Sequence, residues 1–287
     1  MRLAGEERLV YNFLNYRKPN NRTGREVIGL LPAGGRATRV APLPCSKELY
    51  PVGFHSVGKE GSLRPKVVSH YLLEQMRLAD VKKAYIILRE GKWDIPTYFG
   101  DGKILDMHLA YLMMGLPFGV PYTLDQAYPF LEDALVVLGF PDAISHPDDA
   151  FVKLLEKQEE SHADIVLGLF PAMYPHKNEM VEIDDNGQIR SIQIKSDQTE
   201  LFYAWEIAIW TPVFTHFMHD YLSSRKWICD KKKIGINQDE QNELHVGDVI
   251  QAAIQIDMQV DTVLFKDGSC LDIGTPEDMI KAMQDKI

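Results

Sequence analysis

The chain has 287 residues, of which 45% are hydrophobic and 25% are charged, and its formal net charge is -10. This composition is typical of a globular protein with one large α/β domain or two small ones. The acidic balance argues against a surface for nucleic acid or anionic lipids, although a nucleotide needs only a few local cations. Three cysteines without metal-like spacing favour a reduced, cytoplasmic setting. We expect no signal peptide and no membrane-spanning segment.

Residues 1–26 are predicted to form an N-terminal arm, and residues 27–287 a single domain. Val27–Leu31 has the apolar run of a buried strand, Pro65–Ala79 has helical periodicity, and Ala84–Leu88 is again a buried strand. A strand, a helix and a strand in this order favour a βαβ crossover. The fold class is therefore predicted as α/β, a Rossmann-like three-layer sandwich with a mostly parallel central sheet, plus a small hairpin and C-terminal elements.

The later segments are assigned by the same periodicities. Residues 103–115 are predicted as a helix, Val120–Leu124 as a short strand and residues 223–243 as a polar, mobile excursion. Thr275 is predicted to cap the last helix, with Pro276 in its first turn. The remaining predictions are strands at Ala134–Gly139, Ala163–Phe170, Phe202–Trp210 and Thr262–Phe265, helices at Pro147–Gln158, from Pro212 and at Val246–Ile256, and a hairpin over Glu182–Lys195 with a turn at Asn186–Gly187.

The first strand runs into a glycine-rich turn that carries fixed positive charge. Gly34 and Gly35 follow the strand, and Arg39 and Lys47 come soon after them. Glycine lets the backbone approach a ligand closely and take positive φ, so backbone N–H groups can face an anion. The two cations do not titrate near neutral pH. The turn therefore predicts a site for a triphosphate.

Two common phosphate-binding motifs are not matched by this turn or its neighbourhood. No G-x-G-x-x-G follows the first strand, so a dinucleotide site is unsupported. Gly53–Lys59 spells most of a P-loop, but Glu60 stands where Ser or Thr should hold magnesium. A surface turn is the better interpretation of that segment.

Two stretches resemble the signature of the sugar nucleotidyltransferases, the nucleotide-sugar pyrophosphorylases, and in particular the glucose-1-phosphate thymidylyltransferases. Ala33–Val40 with Ser46–Val52 is similar to the opening motif of that family, and Asp272–Pro276 is similar to its closing motif. Ala37 replaces the third glycine of the opening motif. This change is mild if φ is negative at Ala37 and costly if φ is positive.

The resemblance implies roles for ten residues. Arg39 and Lys47 would be catalytic, and Asp142 and Asp272 would hold Mg²⁺, although an aspartate after a strand is also typical of a turn or a helix cap. Lys195 would contact the sugar phosphate or else be a solvated strand lysine. Glu206 would accept sugar hydroxyls or pair inside the protein. The other substrate-binding residues would be Ala33, Gly34 and Gly35 at the triphosphate and Gln126 at the base.

The resemblance also implies a reaction. The chain would join a sugar 1-phosphate to a nucleoside triphosphate, dTTP or UTP, with Mg²⁺ as cofactor and pyrophosphate as the second product. A homo-oligomer is left open. Three departures support a different interpretation. The loop and helix that the family has after the position of Gln126 are missing from the predicted elements, Ala37 replaces a glycine, and Ile194 and Ser196 replace the family's neighbours of Lys195. The alternative is a catalytically impaired nucleotide or nucleotide-sugar binding protein with a regulatory role.

Overall fold

The computed structural model describes residues 24–57, 61–115, 119–184, 187–196, 198–232 and 243–284. Its centre is a run of four parallel strands. Strand β1 (Val27–Ala33) lies between β4 (Lys83–Leu88) and β6 (Leu135–Leu138), and β5 (His108–Met113) extends the run beyond β4. The apolar sequence of β1 suits this central place, since both faces of a parallel sheet are covered.

A second group of strands continues the same nine-stranded sheet. One long strand pairs in antiparallel fashion with β6 and with two strands of the second group, and so joins the halves. These strands are β8 (Ile165–Pro171), β9 (Glu179–Ile183), β10 (Ile189–Ile194), the joining strand β11 (Tyr203–Trp210) and β12 (Val260–Leu264), which is parallel to β8.

Two small sheets lie outside the large one. Strands β2 (Pro51–Val57) and β3 (Ser62–Val67) form an antiparallel hairpin directly after the segment that contains Lys47. Strands β7 (Ala143–His146) and β13 (Ser269–Asp272) form an antiparallel pair between distant parts of the chain. The sequence patterns did not predict β2, β3, β7 or β13.

The helices cover both faces of the large sheet. Along β1, Leu30 packs into one hydrophobic cluster and Leu31 into another, and both are fully buried, as expected when successive side chains point to opposite faces. The predicted three-layer α/β sandwich is therefore confirmed. The α-helices are α1 (Val68–Leu78), α2 (Asp94–Phe99), α3 (Val120–Leu124), α4 (Tyr128–Leu131), α5 (Ala150–Ser161), α6 (Pro212–Lys232), α7 (Val246–Ile254) and α8 (Pro276–Gln284), and short 3₁₀ turns lie at Lys47–Leu49, Lys103–Leu105, Asp125–Ala127 and Pro175–Lys177.

In the first half of the chain, two elements were predicted wrongly and one helix was predicted to begin three residues too early. The helix predicted from Pro65 begins at Val68, because Pro65 lies in β3 opposite Phe54. Residues 103–115 do not form a helix: after the 3₁₀ turn they form β5, whose backbone bonds to β4. Val120–Leu124 forms α3 rather than a strand, with Gly119 before it and Pro121 in its first turn.

Because residues 120–124 form α3 and not a strand, the connection that precedes β6 is not shortened as the sequence suggested. Helix α3, a 3₁₀ turn and α4 occupy the connection between β5 and β6, so a helical segment does precede β6. The predicted excursion at residues 223–243 is also corrected in part, because α6 continues to Lys232, and residues 233–242 lie outside the described ranges. The hairpin over residues 182–195 is confirmed as β9 and β10, although Asn186 in its turn lies outside the described residues.

The predicted cap at the N-terminus of the last helix, α8, is confirmed. The hydroxyl of Thr275 accepts a hydrogen bond from the Asp278 N–H at 3.3 Å and donates one to its carboxylate at 2.6 Å. Residues 1–23 of the predicted arm lie outside the described residues. Among the described helices, none is both long enough and apolar enough to cross a membrane.

Candidate active site

The loop after β1 has the position expected of a phosphate-binding turn, but its glycines act differently from the prediction. Neither Gly34 nor Gly35 has a positive φ. A Cβ at Gly34 would lie 2.3 Å from the sulfur of Met114, whereas a Cβ at Gly35 would meet nothing within 4 Å. Gly34 therefore leaves room for the Met114 side chain, directly after β5, and Gly35 leaves open space above the end of the sheet. Ala33 ends β1 with its side chain buried.

Ala37, rather than a glycine, has the left-handed conformation in this loop. Its φ is 53°, which is strained for a residue with a Cβ. Of the two alternatives for Ala37, negative or positive φ, the structure has the positive one, so alanine in place of the family's third glycine is the costly case. Non-glycine residues in this region are concentrated at functional sites, where the surrounding structure holds them.

Lys47 and Asp142 form a buried ion pair at the carboxyl ends of the parallel strands. The Lys47 side chain is only 12% exposed and contacts the Asp142 carboxylate. Burial by itself lowers the pKa of Lys47, but the carboxylates of Asp142 and Asp272 outweigh burial and raise that pKa above its ordinary value. Lys47 is therefore charged at neutral pH, as the resemblance to the family requires.

Asp272 is brought to this pair by the small β7–β13 sheet. In that sheet Asp272 lies opposite Ala143, and the Ile273 N–H donates to the carbonyl of Asp142 at 3.0 Å. The Asp272 side chain is exposed to solvent although protein surrounds it on most sides, and we call the solvent-facing space beside it the cleft. Burial and the Asp142 carboxylate raise the pKa of Asp272 to about 7, against the lowering effect of Lys47 and Arg39.

Gly274 explains how Arg39 approaches Asp272. A Cβ at Gly274 would lie 2.7 Å from Arg39 Nη2 and 2.9 Å from Asp272 Oδ2. The absence of a side chain at residue 274 therefore leaves room for both groups. The Arg39 side chain is otherwise exposed, so its guanidinium can also reach a ligand in the cleft. Two cations and two carboxylates from four separate segments meet here.

Glu206 lies on the same side of the sheet, toward β9 and β10. Its carboxyl Oε1 accepts a hydrogen bond from the Asn178 side chain at 2.6 Å. Burial raises the pKa of Glu206 to about 8, the Asn178 hydrogen bond partly opposes this rise, and the carboxylates of Asp272, Glu179 and Asp142 add to it. Glu206 is therefore largely protonated at neutral pH and can donate as well as accept hydrogen bonds.

Lys195 is linked to Glu206 through Asn178. The Lys195 N–H donates to the Asn178 carbonyl at 3.1 Å, and Lys195 has a φ of 42°. Its side chain is exposed, and among the described residues its ammonium has no ion-pair partner. The structure thus places the Lys195 backbone beside the Glu206 region and leaves the side chain in solvent.

Gln126 does not follow a strand as predicted. It lies in the 3₁₀ turn between α3 and α4, and its amide donates to the Tyr122 carbonyl at 3.2 Å. The strand that precedes this connection is β5, and Met114 after it packs against Gly34. The structure therefore gives no support to Gln126 as a base-binding residue.

The groups that hold Lys47 in place were not predicted from the sequence. Ser46 donates from its backbone N–H and its hydroxyl to the Asp94 carboxylate, at 2.6 and 2.7 Å. Glu48 pairs with Lys92 in the interior, and its carbonyl accepts from the Ser69 hydroxyl at 2.6 Å. These partners lie 21 to 48 residues from the Lys47 segment, so no local pattern could have identified them.

Comparisons with known proteins agree with the fold and show the family. A family model described as nucleotidyl transferase matches residues 28–287. The low-salt glycan biosynthesis nucleotidyltransferase Agl11 of Haloferax volcanii is 24% identical over 259 residues, 89% of this chain. The glucose-1-phosphate thymidylyltransferase of Streptomyces griseus is 22% identical over 256 residues, 88% of this chain. The chain spans only 65% and 64% of the lengths of these two relatives.

A solved structure has the same fold. It is a Bacillus anthracis protein assigned as a glucose-1-phosphate thymidylyltransferase, in complex with a sucrose. It superposes with a TM-score of 0.72 at 17% identity and covers 90% of this chain and 94% of its own. At this identity the likeness shows the architecture alone.

Proposed function

This chain belongs to the nucleotidyl transferase family, and we propose that it joins a sugar 1-phosphate to a nucleoside triphosphate with release of pyrophosphate. The observation that carries the proposal is the convergence of Arg39, Lys47, Asp142 and Asp272 in one cleft at the ends of the parallel strands. Ligands of open α/β sheets bind at this edge. The fold alone does not require two cations and two carboxylates to meet there.

In the proposed reaction, an oxygen of the sugar phosphate attacks the α-phosphorus of the triphosphate. The new P–O bond forms as the bond between the α-phosphorus and the bridging oxygen to the β-phosphate breaks, and pyrophosphate leaves with the electron pair. This chemistry depends mainly on positioning and on neutralisation of charge. No covalent enzyme intermediate is needed, so neither Cys45 nor Cys270, both free thiols, has a role in it.

The positive side of the cleft would hold the triphosphate. Gly35 offers backbone without an obstructing side chain, and Arg39 is exposed next to it. Lys47 is charged and held by Asp142, so its ammonium is already oriented when a phosphate arrives. Fixed charges of this kind stabilise a pentacoordinate phosphorus without reorganisation.

The carboxylates of Asp142 and Asp272 fit a hard divalent cation. Both offer only oxygen ligands. The Asp142 carboxylate raises the pKa of Asp272, and the positive charges of Lys47 and Arg39 do not fully offset this repulsion. The Asp272 carboxylate forms no hydrogen bond or ion pair with the described residues, so it is available as a ligand. Mg²⁺ held there would neutralise charge on the phosphates.

The sugar would lie toward Glu206. The protonated Glu206 carboxyl can donate to a sugar hydroxyl while Oε1 accepts from Asn178. The exposed Lys195 ammonium is available to the sugar phosphate. dTTP or UTP with a hexose 1-phosphate is the proposed pairing, in keeping with the thymidylyltransferase relative.

The testing experiment is a pyrophosphate-release assay with Mg²⁺. Each of dTTP, UTP, CTP, GTP and ATP is supplied with glucose 1-phosphate and then with a panel of other sugar phosphates. We expect release that needs both substrates. If no pair gives release but a nucleotide still raises the Tm, the chain is instead a binding protein that retained the cleft and lost turnover.

A further inference from the structure

Two imidazoles and a carboxylate meet where the β2–β3 hairpin packs against the first turns of α1. His55 comes from β2, and His70 and Glu74 stand one turn apart on α1. One ligand-type atom from each of the three residues lies within 4.8 Å of the others. None of the three belongs to the proposed reaction site.

The distance between His70 and Glu74 suits a shared metal ion better than a hydrogen bond. His70 Nε2 lies 3.4 Å from Glu74 Oε1, beyond the usual range for a strong N–H···O contact. Two ligands that bind Zn²⁺ tetrahedrally at about 2.0–2.1 Å stand about 3.3–3.4 Å apart. The rings of His55 and His70 meet edge to face with centroids 4.7 Å apart, and the half-buried His55 offers a ring nitrogen within 4.8 Å of the other two ligand atoms.

The second oxygen of Glu74 already has a partner that would orient the carboxylate. Glu74 Oε2 lies 2.5 Å from the ammonium of Lys66 in β3, which also sits over the Tyr71 ring at 3.7 Å. Partners of this kind hold a ligand in its binding orientation. Glu74 can therefore keep its ion pair with Lys66 through one oxygen and bind a metal through the other.

His70 is an unusual residue for a purely structural role. It is 3% exposed, and its Nδ1 is buried without a hydrogen-bond partner among the described residues. An edge contact with Phe99 accounts for the packing of the ring but leaves Nδ1 without a hydrogen bond.

We propose that His55, His70 and Glu74 form a binding site for one divalent transition-metal ion of the Zn²⁺ class. Two imidazoles and a carboxylate select such an ion over Mg²⁺, which prefers oxygen ligands alone. Three protein ligands leave a fourth position for water. The site is distinct in chemistry from the all-oxygen pair of Asp142 and Asp272.

A bound ion would fasten the hairpin to α1. Both elements flank the Lys47 segment: β2 begins two residues after Leu49, and Ser69 of α1 bonds to the Glu48 carbonyl. A bound ion is thus expected to stabilise the two elements that flank the Lys47 segment without contacting the substrates.

The test uses the full, untagged chain, because a histidine tag would bind the probe. Co²⁺ is titrated in the presence of excess Mg²⁺, and the d–d absorption bands and the stoichiometry are recorded. We expect one Co²⁺ per chain with the intense bands of a tetrahedral ion, and we expect Zn²⁺ to displace it and to raise the Tm. His55→Gln and Glu74→Gln should each weaken Co²⁺ binding by about tenfold or more.

The matched control is His108→Gln, which removes an exposed histidine on β5 that lies outside the cluster. It should bind Co²⁺ as the parent does. The two cluster variants carry the test because His70→Gln disturbs a buried position. The proposal is overturned if His55→Gln and Glu74→Gln bind Co²⁺ as tightly as the parent, if the bands are those of an octahedral ion, or if excess Mg²⁺ abolishes binding.

Discussion

Lys92 and Glu48 form an ion pair in the protein interior, directly behind the 3₁₀ turn that presents Lys47. The two side chains are only 5% and 2% exposed, and Glu48 Oε2 has no hydrogen-bond partner among the described residues. Burial raises the pKa of Glu48 and lowers that of Lys92, and each partner opposes the shift of the other. Each charge is therefore tolerated because of its partner.

Lys92→Met is predicted to destabilise the fold by about 3–5 kcal/mol, because it leaves the Glu48 charge buried without compensation. The double variant Glu48→Gln/Lys92→Met should recover most of this loss. Urea denaturation measures both. Lys82→Met, which removes one half of the exposed Lys82–Asp80 pair, is the control and should cost no more than about 1 kcal/mol. Equal losses for Lys92→Met and Lys82→Met would contradict this account.

Asp272→Asn is predicted to lower Mg²⁺-dependent turnover by about 100-fold or more, because a charged ligand and its field are lost at the reacting phosphates. Its stability should be unchanged or slightly higher, since repulsion with Asp142 disappears. Steady-state kinetics and thermal melts are compared with those of Asp267→Asn, an exposed aspartate in the β12–β13 turn. An unfolded Asp272→Asn protein would show that Asp272 is structural.

Gly274→Ala is predicted to fold normally and to lower kcat/KM for the nucleoside triphosphate. The new Cβ would displace Arg39 Nη2 or the Asp272 carboxylate, whereas the backbone at residue 274 is not in the left-handed region. The loss should shrink when Gly274→Ala is made in an Arg39→Ala background, since both changes act on the same group. Strictly additive losses would mean that Gly274 does not act through Arg39.

Ala37→Gly is predicted to stabilise the chain by roughly 0.5–1 kcal/mol. The left-handed conformation costs alanine about 1–2 kcal/mol, and part of the gain is offset by the greater freedom of glycine in the unfolded chain. Ala110→Gly, in the exposed part of β5, is the control and should destabilise instead. Chemical denaturation measures the free energy of unfolding of both variants. A lower value for Ala37→Gly than for the parent would contradict backbone strain at residue 37.

The pH dependence of stability is predicted to carry a contribution from Glu206. Its pKa is about 8 in the folded protein against an ordinary 4.5, so the folded state binds the proton more tightly. This stabilisation is complete below pH 4.5 and is lost as the pH rises toward 8, at up to about 1.4 kcal/mol for each pH unit. Without Mg²⁺, Glu206→Gln should flatten the slope of the unfolding free energy between pH 5 and 8. An unchanged slope would place the Glu206 pKa near its ordinary value.

Local patterns located the strands of the sheet centre but not the edge strand β5. Val27–Leu31 and Ala84–Leu88 lie within β1 and β4, because apolar runs of that length suit a strand covered on both faces. The edge strand β5 was predicted as a helix, since its half-exposed residues have no two-residue alternation and its backbone bonds come from β4. At Val120–Leu124 the signal was present in Pro121, which favours a first helical turn.

The sequence by itself determined the family and the α/β class. It also singled out Arg39, Lys47, Asp142 and Asp272 as candidates, because each stands at a fixed offset in a local motif or follows a recognisable strand. Only the tertiary structure decided that these side chains share one cleft, since the β7–β13 pairing joins segments more than a hundred residues apart. It also revealed the partners of Lys47 and the cluster at His55, His70 and Glu74. Those contacts depend on packing between distant elements, which no window of the sequence contains.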